Sequence, residues 1–271
     1  MAHVLIAGCG YVGTALGLRL AARGNVVWAL RRDPAGLPVA LSGVEADLLV
    51  PNTLRHLPRV DSVVYLVGHD REGGEVWTSG LRYLLGALEP QRRTIRRLVI
   101  ASGLEVYGDR DGAWVDEDSA ASDAGAVARH RLEGEALARA GGIPATVARL
   151  GTIYGPGRPG LLGRVTAGET CDAACWTNLV HRDDAAGALH HLLDLRSAPA
   201  LVLITDGEPV QERDAAAWVR ARLGEPARPA AAEPCAGQGV RCLNDRLRST
   251  GHALAYPSYR EGYAALLSRM R

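Results

Sequence analysis

The chain contains no lysine and no phenylalanine, so all 31 of its Lys and Arg positions are arginine. Codon bias in a GC-rich genome accounts for both absences, yet the chemical consequences hold whatever the origin. Without an ε-amino group the chain cannot form a Schiff base, place a lysine on a phosphate loop or use a catalytic lysine of any kind. Neither sign of charge is in excess. The 31 basic and 30 acidic residues leave a formal net charge of +1, so there is no electrostatic case for nucleic acid or an acidic membrane surface. No apolar run approaches the roughly 20 residues that span a bilayer. The first residues read as a strand rather than a basic segment and apolar core, so no secretory leader is expected. Cysteine is sparse: Cys9, Cys171, Cys175, Cys235 and Cys242. The odd count and loose spacing predict reduced thiols and a cytoplasmic protein. Cys171, Cys175 and His181 do not have zinc-site spacing and lack an evident fourth ligand, so no metal is expected. A length of 271 residues allows one or two domains.

What is present begins at the first strand. His3–Ala7 is a short apolar run, followed by Gly8-Cys9-Gly10-Tyr11-Val12-Gly13 and then by apolar residues at helical spacing up to Gly24. This G-x-G-x-x-G therefore stands after a strand and opens a helix, the context in which it binds a dinucleotide. Gly8 makes the turn, Gly10 lets backbone approach a pyrophosphate, and Gly13 allows close helix–strand packing. The helix N-terminus offers free N–H groups to the phosphates, and Tyr11 and Val12 belong to the same candidate cofactor loop. The second strand, residues 25–30, ends at Arg31-Arg32, where a NAD site usually carries an acid. Two guanidiniums there suit a 2′-phosphate, so NADP is expected rather than NAD; the alternative is a pair of solvated arginines. A strand over 44–48 brings Asp47 and Leu48 toward the adenine. Another over 60–68 ends at Val67-Gly68, where the cofactor passes.

The alternation continues with a helix over 76–88, a strand over 97–103 that carries Ser102, a helix over 124–140 and a strand over 145–150. Arg92–Arg97 and Asp116-Glu117-Asp118 read as solvated charge runs. The pattern predicts an α/β fold: a Rossmann-type, doubly wound parallel sheet. Residues 1–150 would form the dinucleotide-binding domain. Residues 151–271 would form a smaller C-terminal substrate-binding portion interleaved with the sheet. The latter should hold a loop at 155–160, a helix over 185–195 capped by Asp184, a strand over 201–204, an exposed loop over 227–239 and a short helix over 262–270.

With these pieces in place, the chain resembles the extended short-chain dehydrogenases/reductases, the group of nucleotide-sugar epimerases and dehydratases. Gly10-Tyr11-Val12-Gly13 is similar to their G-Y-[IV]-G, and Val106-Tyr107-Gly108 to their V-Y-G. Arg149 with Tyr154-Gly155-Pro156-Gly157 is similar to their R-x-x-x-x-Y-G-P-G, and His181, Asp184 and Ala186 to their H-x-x-D-x-A. The segment Tyr256-Pro257-Ser258-Tyr259-Arg260-Glu261-Gly262 resembles an atypical bacterial epimerase/dehydratase-like branch. The resemblance implies a small-molecule substrate and a homodimer formed by the helices Val76–Leu88 and Ala124–Ala140. It also implies a structural plug at Tyr107.

The family's catalytic Ser, Tyr and Lys fall here on Gly103, Val127 and Arg131, counting back from Val106 and from Glu135. No realignment restores the lysine. The candidate catalytic residues are therefore Tyr154, His130 and Arg131. Tyr154 either approaches the nicotinamide or is a packed aromatic. His130 can move a proton near neutral pH. Arg131 lies one helical turn from Val127 and is either a fixed charge on the cofactor ribose or an exposed helix arginine. Arg158, Asn178 and His181 are the candidate substrate residues, or secure their loops. The function expected is an NADP-binding oxidoreductase or epimerase on a small polar substrate with a non-standard acid/base. The alternative is an inactive NADP-binding sensor or scaffold.

Overall fold

The computed structural model describes residues 1–68, 74–123, 125–169, 171, 173–226 and 238–270. Strands β1 to β5 are His3–Ala7, Val26–Arg31, Ser42–Glu45, Ser62–Tyr65 and Arg97–Gly103. The remaining strands, β6 to β13, are Ala113–Val115, Ala145–Leu150, Thr152–Tyr154, Trp176–Thr177, Leu179–His181, Leu201–Ile204, Val210–Gln211 and Val240–Cys242. Helices α1 to α8 are Tyr11–Ala21, Leu81–Leu88, Ala126–Ala140, Leu161–Thr166, Arg182–Asp194, Glu212–Leu223, Asp245–Ser249 and Tyr259–Ser268. No described helix is long and apolar enough to cross a membrane.

Seven strands form a parallel sheet in the order β11-β7-β5-β4-β1-β2-β3. The chain winds outward from β1 through β2 to β3, then crosses to the other side of β1 at β4. That reversal is the topological switch point of a doubly wound sheet, where a crevice opens beyond the carboxyl ends of the strands. The β5 strand is buried along its whole length, as expected for a strand covered on both faces. Even Arg97 is buried, and its guanidinium donates to the carbonyls of Leu195 and Arg196 at 3.0 and 3.4 Å. The basic run expected to be solvated therefore ends inside the fold.

The chain divides into two discontinuous compact units. The first comprises residues 1–106, 122–149 and 186–202, and the second 107–121, 150–185 and 203–271. A division at residue 150 misses two exchanges. Residues 107–121 leave for the second unit because β6 pairs with β13, and residues 186–202 return to the first. In the first unit the core gathers Leu5, Leu30, Val63, Tyr65, Trp77, Leu84, Leu98 and Ile100. In the second it gathers Tyr154, Leu162, Val165, Leu179, Ala216, Val219, Tyr259 and Tyr263. The stretch expected as a helix over 76–88 starts with a wider π turn, Val76–Gly80, before α2. Helix α6 is not expected from the chain reading, although its buried Ala215, Ala216 and Val219 follow helical spacing and Gly224 closes it at φ 76°. Of the exposed loop expected at 227–239, residues 227–237 lie outside the described residues.

Two further expectations are corrected. Cys175 is disulfide-bonded, whereas Cys9, Cys171 and Cys242 are free, so the thiols are not all reduced. The acidic run at 116–118 is only partly a solvated face, with Asp118 exposed and Glu117 not. Glu117 is buried and accepts the Leu203 N–H at 2.8 Å, and Asp118 pairs with Arg246 at 2.6 Å. Asp116 closes a local turn by accepting from the Asp118 and Ser119 N–H groups. Burial pushes the Glu117 carboxyl above its ordinary range.

Candidate cofactor and active site

The three loop glycines answer to three different physical demands. Gly8 has φ 82°, and a Cβ there would lie 2.9 Å from the Leu66 carbonyl carbon and oxygen. Only glycine fits, because the conformation is left-handed and β4's continuation passes against it. At Gly13 a Cβ would meet Ile6 Cγ2 at 3.2 Å and the Gly8 oxygen at 3.3 Å, the close packing of α1 on β1. Gly10 differs. Among the described residues, a Cβ there would find only the Gly8 oxygen, at 3.9 Å. Packing among the described residues does not demand glycine at position 10, whereas a pyrophosphate brought against it would. Gly68, three residues beyond β4, likewise has nothing within 4 Å of a Cβ among the described residues. Helix α1 starts at Tyr11 with no side-chain hydrogen bond from its N-cap, Gly10, and no acid in its first turn. These residues fit a dinucleotide.

Arg31 ends β2, with Arg32 exposed beside it, and among the described residues neither forms an ion pair. The strand after them ends at Glu45, two residues short of Asp47. The Asp47 carboxylate is turned inward to its own loop, accepting the Leu49 N–H at 2.9 Å. Leu48 is buried in the core, and Val67 packs partly buried against it.

At the end of β5 the Ser102 hydroxyl is enclosed and has no hydrogen-bond partner among the described residues. A Cβ on Gly103 would collide with the Glu105 carboxylate. That carboxylate is held by Arg131, Nε to Oε1 at 2.9 Å. Arg131 in turn has its Cζ 3.8 Å from the Trp77 ring centroid and donates to the Ala101 carbonyl at 3.4 Å. Its side chain is 12% exposed, so it is not a free surface arginine. Burial lowers its pKa from the ordinary guanidinium value, against the pull of Glu105. His130, its neighbour on α3, lies over Gly74. Gly134 lets α3 approach the Trp77 carbonyl, since a Cβ there would sit 2.7 Å from that oxygen. One turn beyond Arg131, Glu135 is fully buried and forms a bidentate pair with Arg149 at 3.0 and 2.7 Å. The motif arginine and the motif acid thus serve each other.

The other candidates lie in the second unit. Tyr154 is buried against Tyr263 and His181, with ring centroids 4.4 and 5.4 Å away, and its hydroxyl has no hydrogen-bond partner among the described residues. Burial, helped by the nearby Asp206, pushes its pKa far above the ordinary phenol value. His181 accepts the Asp183 N–H on Nδ1 at 3.2 Å and stacks on Tyr256 at 4.1 Å. Burial lowers its pKa, and the accepted hydrogen bond places the ring proton on Nε2. Both ends of the Asn178 amide are engaged by β13: it donates to the Val240 carbonyl at 2.9 Å and accepts from the Cys242 N–H at 2.7 Å. Arg158 is exposed in a turn that its backbone closes with Gly155. Asp184 is not a helix cap. It lies inside the first turn of α5 and accepts from the N–H groups of Ala255 and Tyr256 at 2.7 and 2.8 Å. Tyr107, expected as a structural plug, is fully buried and donates to the Asp116 carbonyl at 2.7 Å.

The same unit explains the C-terminal motif. Ser258 and Glu261 form a capping box that starts α8 at Tyr259, earlier than residue 262. Gly262 leaves room for the Tyr154 hydroxyl, which a Cβ would strike. Asp206, absent from the candidates, is 1% exposed; one carboxyl oxygen accepts the Glu208 N–H at 3.1 Å and the other has no partner among the described residues. Nothing in its sequence context, Ile204-Thr205-Asp206-Gly207, distinguishes it from a turn aspartate.

Residues 4–200 match the NAD dependent epimerase/dehydratase family. The chain belongs to that family. It is of the extended short-chain dehydrogenase/reductase kind. A Methylobacillus flagellatus protein of NAD-dependent epimerase/dehydratase type is 34% identical, with a TM-score of 0.87 over 100% of this chain and 99% of that one. The 3-diazoavenalumate denitrifying reductase of a Streptomyces species is 30% identical over 96% of this chain and 98% of its own. Bordetella bronchiseptica WbmG, solved with NAD and UDP, shares the fold at 15% identity, with a TM-score of 0.83 over 99% of this chain and 94% of its own.

Proposed function

We propose that this chain is an NADP(H)-dependent oxidoreductase acting on a small polar substrate. The observation that carries the reading is the glycine loop left open at Gly10, beside two guanidiniums, Arg31 and Arg32, that have no acidic partner among the described residues. The N–H groups at the start of α1 would hold the pyrophosphate, and Arg31 and Arg32 the 2′-phosphate. When bound, the nicotinamide supplies the hydride chemistry. The reductase among the relatives supports the direction of this reading, and the WbmG complex supports a dinucleotide of this type on this fold.

The family's Ser, Tyr and Lys positions are here Gly103, Val127 and Arg131, so proton transfer falls to another group. Tyr154 is enclosed and its ionisation opposed by burial, which gives it a packing role in this reading. His130 keeps partial solvent access and is the proton carrier we favour. A homodimer through α2 and α3 belongs to the same reading, and sedimentation of the chain tests it. The second reading, a cofactor-binding sensor without turnover, is favoured by the Glu105 carboxylate standing where a residue-103 side chain would reach.

Calorimetry with NADPH and NADH tests the proposal. NADPH should bind at least about tenfold more tightly, the worth of a charge-assisted contact to the 2′-phosphate. Arg31→Ala combined with Arg32→Ala should erase the difference. Equal affinities in the wild-type chain overturn the NADP assignment. Nicotinamide absorbance followed across a panel of polar ketones and keto-sugars separates the enzyme from the sensor.

A further inference from the structure

We propose that Glu105, held in place by Arg131, accepts a hydrogen bond from a sugar hydroxyl on the nicotinamide half of the bound dinucleotide. The proposal rests on the dinucleotide reading above and adds a residue to it.

The strand order sets the direction. Arg31 stands at the end of β2, the glycine loop at the end of β1, and Gly68 beyond β4; β5 comes next in the sheet. A dinucleotide whose adenosine end lies at Arg31 and whose pyrophosphate crosses Gly10 must carry its other nucleoside toward β4 and β5. Two strand spacings, about 10 Å, separate β1 from β5. The first group beyond the pyrophosphate is a sugar, and it presents hydroxyl donors.

The chain places a carboxylate just beyond β5 and fixes it. Glu105 Oε1 takes the Arg131 Nε–H at 2.9 Å, and Arg131 is itself clamped over Trp77 at 3.8 Å. Glu105 Oε2 has no hydrogen-bond partner among the described residues and occupies the space above Gly103. A glutamate needed only to neutralise a buried arginine requires one engaged oxygen. This one keeps its second oxygen free, on a side chain that is 37% exposed, at the ligand edge of the sheet. The Arg131–Trp77 stack removes the rotamer freedom that an exposed glutamate would otherwise lose on binding. The absence of a side chain at position 103 is what admits the carboxylate.

The test compares two probes by calorimetry. Adenosine 2′,5′-bisphosphate has the adenosine half and its 2′-phosphate but no nicotinamide nucleoside; NADPH has both. In Glu105→Ala the bisphosphate should bind as in wild type, within about twofold, while NADPH weakens by about tenfold or more, the loss of a hydrogen bond to a charged group. Glu105→Gln, which keeps an acceptor without the charge, should fall between. NADPH affinity unchanged in Glu105→Ala overturns the proposal, as does an equal loss for both probes, which would report a general disturbance of the site. A wild-type chain that binds neither probe overturns the dinucleotide reading and this inference with it. A wild-type chain that binds both while Glu105→Ala changes neither overturns the inference alone.

Discussion

Replacing Asp206 by asparagine should stabilise the protein at neutral pH and remove a slope from its pH–stability profile. Burial raises the Asp206 carboxyl from 3.8 to about 8, with the neighbouring Glu208 and Glu261 adding to the effect and the N–H groups of Glu208 and Tyr259 opposing it. The folded protein therefore keeps a proton on Asp206 that the unfolded chain has lost at pH 7. Stability from this group is fully present below about pH 4, declines as pH rises toward about 8, and is flat beyond. Each pH unit in that window is worth about 1.4 kcal/mol, so at pH 7 the native state has given up on the order of 4 kcal/mol. Asparagine matches the neutral carboxyl in shape and can still accept the Glu208 N–H. Its amide donors would lie where Oδ2 has no partner, at a cost of about 1–3 kcal/mol. The net expectation at pH 7 is a gain of about 1–3 kcal/mol. The decisive quantity is the difference between variant and wild type, measured by urea unfolding at pH 5 and pH 8. It should move by about 4 kcal/mol in favour of wild type toward the acid end. A difference that stays constant across that range refutes the argument, because Asp206 would then be ionised in the folded protein.

Gly10→Val should abolish NADPH binding in calorimetry with an unchanged melting temperature, since among the described residues its Cβ meets no atom closer than 3.9 Å. Gly13→Val should instead lower stability by about 1–3 kcal/mol through overpacking against Ile6. Glu135→Ala should cost about 3–5 kcal/mol in denaturant unfolding, because it leaves the Arg149 guanidinium buried without its carboxylate. Rebuilding the triad with Val127→Tyr, Arg131→Lys and Gly103→Ser should raise carbonyl reduction by about two to four orders of magnitude at saturating NADPH. That gain should appear only when Glu105→Ala is added, since the serine side chain otherwise meets the Glu105 carboxylate.

The dinucleotide half of this protein is legible from local patterns. A strand of apolar residues, a glycine loop and a helix with a 3.6-residue period each follow from backbone freedom and side-chain burial over a few neighbouring positions. The doubly wound sheet follows from their alternation. The lack of lysine rules out a Y-x-x-x-K site before any coordinate is known. The roles of Gly8 and Gly13 and the open face at Gly10 agree with that reading for the same local reason: each depends on a contact within one β-α turn or with the next strand.

Long-range pairing decided the rest. Glu117 and Arg97 read as solvated charges because their partners, Leu203 and Leu195, are about a hundred residues away and carry no local signal. Asp184 reads as a helix cap because capping residues are recognised by position, whereas its two acceptor bonds go to backbone N–H groups at 255 and 256. Tyr154 can be placed on a loop from its motif, but only packing against Tyr263, and the space left by Gly262, makes it a core residue. Glu105 and Asp206 carry no motif at all. The charge of one is aimed by an arginine 26 positions away, and the proton of the other is retained by surroundings assembled from distant segments. Composition and short-range periodicity therefore determined the fold class and the cofactor loop. Which charged groups are buried, and which carboxylate is left with a free oxygen, was decided by tertiary structure, because burial is a property of the whole packed chain.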